Sequence, residues 1–272
     1  MAPHPSLAMS TSTNPRSYTR SAIVLAAGKG TRMKSDLPKV MHHANGKPMA
    51  EWVADAARAV GCSPVVMVIG HGADTVRAHF QGQPDVEFVM QMPQLGTGHA
   101  VDMARELYAR GALGDEVLVL CGDGPLIRPH TLQVLLDTHR ESGAAATLAT
   151  AVIPDPSGYG RIERDEHGRF RRIVEQKDAT PAQLALREIN PSYYCFRTAD
   201  LFDALRRVTN QNASGEYYVT DVFELLLRDG KRVSVVDAVP AEDVLSVNTP
   251  EQLAEVSRIL SSRSAPTAGA LE

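Results

Sequence analysis

The chain has 272 residues, of which 43% are hydrophobic, and a formal net charge of −4. This size and composition suffice for one large α/β domain, whereas the acidic balance is not typical of proteins that bind nucleic acid through a basic stripe. No apolar run approaches the roughly 18 residues of a membrane helix, and the cysteines lack the spacing of a metal or redox pair. We therefore expect a cytoplasmic protein without nucleic-acid or membrane partners. The polar ends, residues 1–20 and 261–272, are predicted to be disordered tails around a folded domain at residues 21–260.

Strand and helix patterns alternate through the first half of the chain. Short apolar runs predict strands at residues 22–26, 65–69, 86–90 and 117–120. Amphipathic or polar segments between and after them predict helices at residues 48–60, 73–80, 98–109 and 132–139. This βαβα order favours a mostly parallel sheet that is covered by helices on both faces.

The second half is less regular and richer in strand patterns. Strands are predicted at residues 145–152, 189–196 and 233–236, with a hairpin that joins 161–164 to 171–175. Helical faces recur at residues 201–208 and 222–226. The pattern indicates one α/β unit with a smaller β-rich lobe toward its C-terminal half. Ligands of such sheets bind beyond the carboxyl ends of the strands, where the polar, glycine-containing segments of this chain fall.

A glycine-rich loop follows the first predicted strand. Gly28 and Gly30 allow the backbone to approach a ligand, and Lys29, Arg32 and Lys39 add positive charge nearby. The loop is neither a Walker A motif nor a dinucleotide fingerprint, because the required Gly-Lys-Ser/Thr and third glycine are absent. The basic residues favour phosphate binding over an ordinary tight turn.

Six ordered segments, at residues 25–39, 94–100, 158–162, 173–180, 188–190 and 215–221, resemble motifs of the sugar nucleotidyltransferases. Together they resemble the uridyltransferase domain of the bacterial bifunctional N-acetylglucosamine-1-phosphate uridyltransferase/glucosamine-1-phosphate acetyltransferases, over about residues 20–260. The resemblance implies a Rossmann-like α/β fold whose mostly parallel sheet carries helices on both faces, with a smaller β-rich sugar-binding lobe.

The same resemblance assigns roles to individual residues. It implies catalytic roles for Arg32 and Lys39, which would neutralise charge on the reacting phosphates, although both could also be surface cations. The implied nucleotide-binding residues are Leu25, Ala26, Ala27, Gly28, Lys29, Gly30, Gln91, Gln94, Gly96 and Thr97. The implied sugar-binding residues are Gly160, Glu175, Asn190, Tyr218 and Thr220.

A magnesium site is implied at Asp123 and Asn248. Asp123 follows the fourth predicted strand, and Mg²⁺ needs few protein oxygens because it keeps phosphate and water ligands. The alternative is that Asp123 is only a turn residue, since the sequence Asp-Gly-Pro is typical of turns.

The implied reaction transfers UMP from UTP to N-acetylglucosamine 1-phosphate and releases pyrophosphate, by in-line attack on the α-phosphate with Mg²⁺ assistance. The attacking phosphate is already anionic near neutral pH, because the second pKa of a phosphate monoester is about 6, so no general base is needed. Alternatives are another sugar phosphate such as glucose 1-phosphate, dTTP as the donor, or a non-catalytic regulator that binds nucleotide sugars.

Three departures from the family pattern leave the sugar open. Cys121 stands where tyrosine is usual, Gly124 replaces a β-branched residue, and Pro191-Ser192 replaces Thr-Gly. The hexapeptide pattern of the family's β-helix is not found, so acetyltransferase activity is not expected and the oligomeric state is left open.

Overall fold

The computed structural model describes residues 19–264. Its strands are β1 (Arg20–Ala26), β2 (His43–Ala44), β3 (Lys47–Pro48), β4 (Val65–Ile69), β5 (Val86–Met90), β6 (Glu116–Cys121), β7 (Ala146–Val152), β8 (Gly160–Arg164), β9 (Phe170–Val174), β10 (Glu188–Arg197) and β11 (Val233–Asp237). Its α-helices are α1 (Met49–Ala59), α2 (Ala73–Phe80), α3 (Thr97–Asp102), α4 (Arg105–Ala109), α5 (Pro129–Ser142), α6 (Pro181–Leu184), α7 (Thr198–Leu205), α8 (Asp221–Arg228) and α9 (Pro250–Ser264). None of the helices within this range combines the length and apolarity needed to cross a bilayer.

The central sheet has the strand order β11-β7-β10-β6-β1-β4-β5. All strands along this order are parallel except β10, which runs opposite to both of its neighbours. The hairpin of β8 and β9 joins the same sheet through the first residues of β10. The predicted β-rich lobe is therefore an extension of the main sheet, and it lies at the edge where the parallel strands end.

Apolar side chains that point alternately to the two faces of the strands form a core on each face of the sheet. In β1, Ala22 and Val24 pack with α1 and α5 on one face, whereas Ile23 packs with α3, α7 and α8 on the other. Successive strand side chains point to opposite faces, so a wholly apolar strand requires cover on both. The structure confirms the predicted mostly parallel sheet with helices on both faces.

Three details of the sequence prediction need correction. The segment at residues 98–109 is not one helix, because it breaks after Asp102, where the Ala104 amide bonds to the carbonyl three residues back at Val101. Arg20 belongs to β1, and residues 261–264 continue α9, so both were wrongly assigned to tails. The remaining tail predictions, for residues 1–18 and 265–272, lie outside the described residues.

Helix α9 was not predicted, although the sequence carries its start signal. The Thr249 hydroxyl accepts from the Gln252 amide at 3.3 Å, and the Gln252 side chain accepts from the Thr249 amide at 3.2 Å. This reciprocal capping box, with Pro250 at the first helical position, is a recognised helix N-terminus. The cap fixes how the preceding residue, Asn248, is placed relative to the start of the helix.

Candidate active site

Two adjoining cavities open at the carboxyl edge of the sheet. The first has a volume of about 330 Å³ and lies beside the loops that follow β1 and β5. The second, of about 260 Å³, lies between the end of β6 and the β8–β10 extension. Both cavities share four lining residues, Leu25, Thr97, Cys121 and Asp123. Two different ligands bound in these cavities would therefore meet beside Asp123.

The first cavity is lined by seven of the residues that the sequence assigned to nucleotide binding, namely Leu25, Ala27, Gly28, Gln91, Gln94, Gly96 and Thr97. Gln91 is only 4% exposed and donates from Nε2 to the Gly96 carbonyl at 2.9 Å. The Gln94 side chain donates to the Ala27 carbonyl, which ties the loop after β5 to the loop after β1. Backbone and amide groups thus converge on a cavity that also has apolar lining residues.

Glycine is required at residue 96 because the backbone of another segment, at Tyr217, approaches it closely. Its φ is +111°, and a Cβ atom there would lie 2.5 Å from the Tyr217 carbonyl oxygen. The neighbouring Gly98 amide donates to that carbonyl at 2.7 Å, and the Tyr217 amide donates to Leu95 at 2.8 Å. A side chain at residue 96 would separate these segments, since only glycine combines this φ with the missing Cβ. The segment around Tyr217 therefore supports the wall of the first cavity.

The second cavity collects four of the residues assigned to sugar binding, Gly160, Glu175, Asn190 and Thr220. The Thr220 hydroxyl donates to Glu175 Oε1 at 3.0 Å, and Asn190 Nδ2 donates to the Tyr194 hydroxyl at 2.7 Å. Burial raises the pKa of the Glu175 carboxyl, and the Thr220 hydrogen bond partly opposes this. These directional donors and acceptors suit a polyhydroxylated ligand.

Two of the three departures from the family pattern, Cys121 and Pro191-Ser192, line this second cavity, whereas Gly124 does not. Ser192 has φ +67°, a left-handed conformation that favours glycine, which explains why glycine is usual there. Its amide donates to Asn190 Oδ1 at 3.0 Å, so the Pro191-Ser192 bulge still orients Asn190. Burial raises the pKa of the Cys121 thiol to about 12, so this cysteine is protonated and is not a nucleophile near neutral pH.

A cluster of charged and polar groups lies where the cavities meet. The Lys39 ammonium forms an ion pair with Asp123 and donates to Asn248 Oδ1 at 3.0 Å. The Arg32 guanidinium donates to the same Asn248 oxygen at 2.8 Å. Two cations thus contact the two oxygens that the sequence assigned to Mg²⁺, over sequence separations of up to 216 residues.

This cluster fits a divalent cation. The Asp123 carboxylate and the Asn248 carbonyl contact one ammonium nitrogen, which shows that both oxygens can face a single positive centre. One carboxylate and one amide oxygen suit Mg²⁺ when phosphates and water complete its ligands. No group of three His, Cys, Asp or Glu side chains is placed to hold a metal within residues 19–264, so a protein-only metal cage is not formed there.

Several predicted residues do not line either cavity. Ala26 is buried in the core below the loop, and Lys29 and Gly30 lie in the loop beside the first cavity without lining it. Tyr218 is half-buried outside both cavities. Conversely, the cavities include residues that the sequence did not indicate, namely Glu216 in the first and Tyr159, Tyr194 and Ser246 in the second. Tyr159 and Glu216 lie within the motif segments 158–162 and 215–221 but had been given no role of their own. Tyr194 and Ser246 lie outside the six segments, and only the fold brings them to the site.

Comparisons with known proteins show the family to which this domain belongs. Residues 22–222 match the family described as MobA-like NTP transferase domain. The chain is 50% identical over 242 residues to the bifunctional protein GlmU of Geobacter metallireducens, and 45% identical over 244 residues to that of Bacillus cereus, which covers 89% and 90% of this chain. It spans about half the length of these relatives, 50% and 52%.

A solved structure supports the fold. The crystal structure of UDP-glucose pyrophosphorylase complexed with UDP-glucose aligns with a TM-score of 0.73 and 18% identity, covering 90% of this chain and 99% of that one. The predicted α/β fold and the predicted resemblance to a sugar nucleotidyltransferase domain are thereby confirmed. The match to the family over residues 22–222 establishes that the chain belongs to the MobA-like NTP transferase domains.

Proposed function

We propose that the protein transfers UMP from UTP to N-acetylglucosamine 1-phosphate and releases pyrophosphate. The observation that carries the proposal is the cluster of Arg32, Lys39, Asp123 and Asn248 at the junction of two cavities. A reaction between two anionic substrates needs such concentrated positive charge where they meet. The similarity to the GlmU proteins and the six sequence motifs support the choice of substrates.

The nucleotide would occupy the first cavity, with its base near Gln91 and Gly96 and its phosphates toward Gly28 and Asp123. Arg32 and Lys39 would then face the phosphate oxygens and neutralise charge that grows on departing pyrophosphate. Asp123 and Asn248 would hold Mg²⁺, which would offset the charge of both substrates when it is bound. The protein thus supplies alignment and charge stabilisation, the two main contributions in phosphoryl-type transfer.

The acceptor sugar would occupy the second cavity. Asn190 uses one amide hydrogen on Tyr194 and one Oδ1 lone pair on the Ser192 amide, so it retains one donor and one acceptor for a ligand. Glu175 offers the Oε2 oxygen beside Gly160. The sugar phosphate would approach the α-phosphorus past Cys121 and Asp123. Because its phosphate is already ionised, none of these residues has to remove a proton.

The test is pyrophosphate release from UTP and Mg²⁺ in parallel reactions with N-acetylglucosamine 1-phosphate, glucose 1-phosphate and glucosamine 1-phosphate. We expect the fastest release with the first acceptor. Faster release with either of the others would reassign the sugar and retain the transfer chemistry. Folded protein that releases no pyrophosphate with any acceptor would contradict the proposal. The cytoplasmic location stays a prediction.

A further inference from the structure

Both amide hydrogens of Gln91 are committed within the protein. Nε2 donates to the Gly96 carbonyl at 2.9 Å and lies 3.2 Å from Nδ1 of His99. A carbonyl oxygen can only accept, so the atom that faces Gly96 must be the amide nitrogen and not the amide oxygen. The contact with Gly96 thus fixes the orientation of the Gln91 side chain, and His99 receives its second hydrogen.

His99 must act as an acceptor in this arrangement. It lies in α3, and its Nδ1 can receive the Gln91 hydrogen only when the ring proton is on Nε2. If Nδ1 carried a proton, two N–H donors would face each other, and the reversed orientation of the Gln91 amide would be favoured. A reversed amide would in turn set two acceptors, Oε1 and the Gly96 carbonyl, against each other. The two contacts therefore support one orientation of the amide.

The orientation leaves Gln91 Oε1 for a ligand. No side-chain or backbone donor within residues 19–264 reaches this oxygen, and Gln91 lines the first cavity. A bound base must therefore offer an N–H group to Gln91. Uracil and thymine carry such a hydrogen on N3. Cytosine carries its N–H donor on the exocyclic N4, so in the same pose its N3 acceptor would meet Oε1 with like partial charge. The orientation of this one amide thus distinguishes uracil and thymine from cytosine.

We propose that His99 is a positioning residue that acts with the Gly96 carbonyl to hold the donor–acceptor sense of Gln91 and thereby strengthens the preference of the first cavity for uracil over cytosine. The inference rests on the proposed function, because it assumes that the first cavity holds the base of a nucleoside triphosphate. Thymine presents the same edge as uracil, so this device does not distinguish dTTP from UTP.

The variants His99→Phe and His99→Ala remove the acceptor, and His99→Asn places a carbonyl oxygen near the position of Nδ1. Asp102→Asn is the matched control, because Asp102 shares an outer cavity with His99 and pairs with Arg105 but does not contact Gln91. Steady-state kinetics with UTP and CTP give the ratio of their kcat/KM values. Melting temperatures and circular dichroism establish that each variant is folded.

We expect the UTP/CTP ratio to fall about fivefold in His99→Phe and in His99→Ala, the loss that corresponds to one neutral hydrogen bond. The change should be in KM for UTP, with kcat little altered. His99→Asn should restore most of the ratio, and Asp102→Asn should match the wild type.

A folded His99→Phe or His99→Ala variant with the wild-type ratio would overturn the inference, as would an equal loss in His99→Asn. Calorimetric binding of UTP and CTP to the same variants separates this inference from the proposed function. Loss of the binding preference in His99→Phe supports the role of His99 even if the wild type transfers no nucleotide. Equal binding of both nucleotides by the wild type refutes that role even if uridylyl transfer is observed.

Discussion

Replacing Asp123 with asparagine separates its proposed role in metal binding from its role in folding. The carboxylate pairs with Lys39, and the two side chains are 17% and 15% exposed, respectively. Asparagine keeps the size of the side chain and leaves the backbone bond from the Val247 amide to the residue 123 carbonyl, at 3.0 Å, unaffected. The perturbation is therefore close to the loss of one negative charge.

The effect on stability should be small. After the substitution, Lys39 retains the Asn248 oxygen at 3.0 Å and gains a neutral amide oxygen in place of the carboxylate. Loss of one partly exposed ion pair with such compensation costs about 1 kcal/mol. The effect on turnover should be much larger, about 10²–10³-fold in kcat, the range for removal of one group that stabilises charge in the transition state.

The assay compares kcat for pyrophosphate release with the free energy of unfolding in urea. Asp137→Asn, on the exposed side of α5, serves as the control, because its carboxylate accepts from Gln133 on the same helix and lines neither cavity. If kcat decreased by less than about tenfold, the metal role of Asp123 would be refuted. A stability loss large enough to unfold the variant under assay conditions would refute the expected small effect on folding.

EDTA should stop turnover until Mg²⁺ is restored, with little change in melting temperature, because Lys39 already bridges Asp123 and Asn248. Gly160→Ala should raise KM for the sugar phosphate about threefold to tenfold and leave KM for UTP unchanged. The added Cβ would lie 3.1 Å from Ile173 Cγ2 and 3.6 Å from Glu175 Oε2, inside the second cavity. Gly96→Ala should lower both the melting temperature and UTP affinity, because its Cβ would lie 2.5 Å from the Tyr217 oxygen. Burial lowers the pKa of His139 to about 4 in the native state. Between that pH and the ordinary pKa of histidine, the unfolded chain therefore binds a proton that the native state does not bind. Urea unfolding should therefore show a loss of about 2 kcal/mol between about pH 7 and about pH 4.5, and His139→Gln should lose less.

Much of the fold was predictable because its signals are local. The apolar runs of β1, β4 and β6 are buried on both faces, as expected for parallel strands between helix layers, whereas β5 at the edge of the sheet is only partly buried. The break after Asp102 was not predictable, because periodicity continues across it. Helix α9 was missed for a different reason: its capping box was present in the sequence, but its apolar face is narrow and packs only on a small third cluster.

The sequence by itself determined which residue types stand at the carboxyl ends of the strands, and through its motifs it indicated the chemistry of the site. Only the tertiary structure decided which of them meet. Asn248 reaches Arg32 and Lys39 across more than 200 residues, a contact that no local pattern encodes. The sense of the Gln91 amide depends on the carbonyl of Gly96 and the ring of His99, and the wall around Gly96 depends on Tyr217. Periodicity reports which side chains are buried, whereas the pairing of donors with acceptors is set by the distances between loops that the folded sheet brings together.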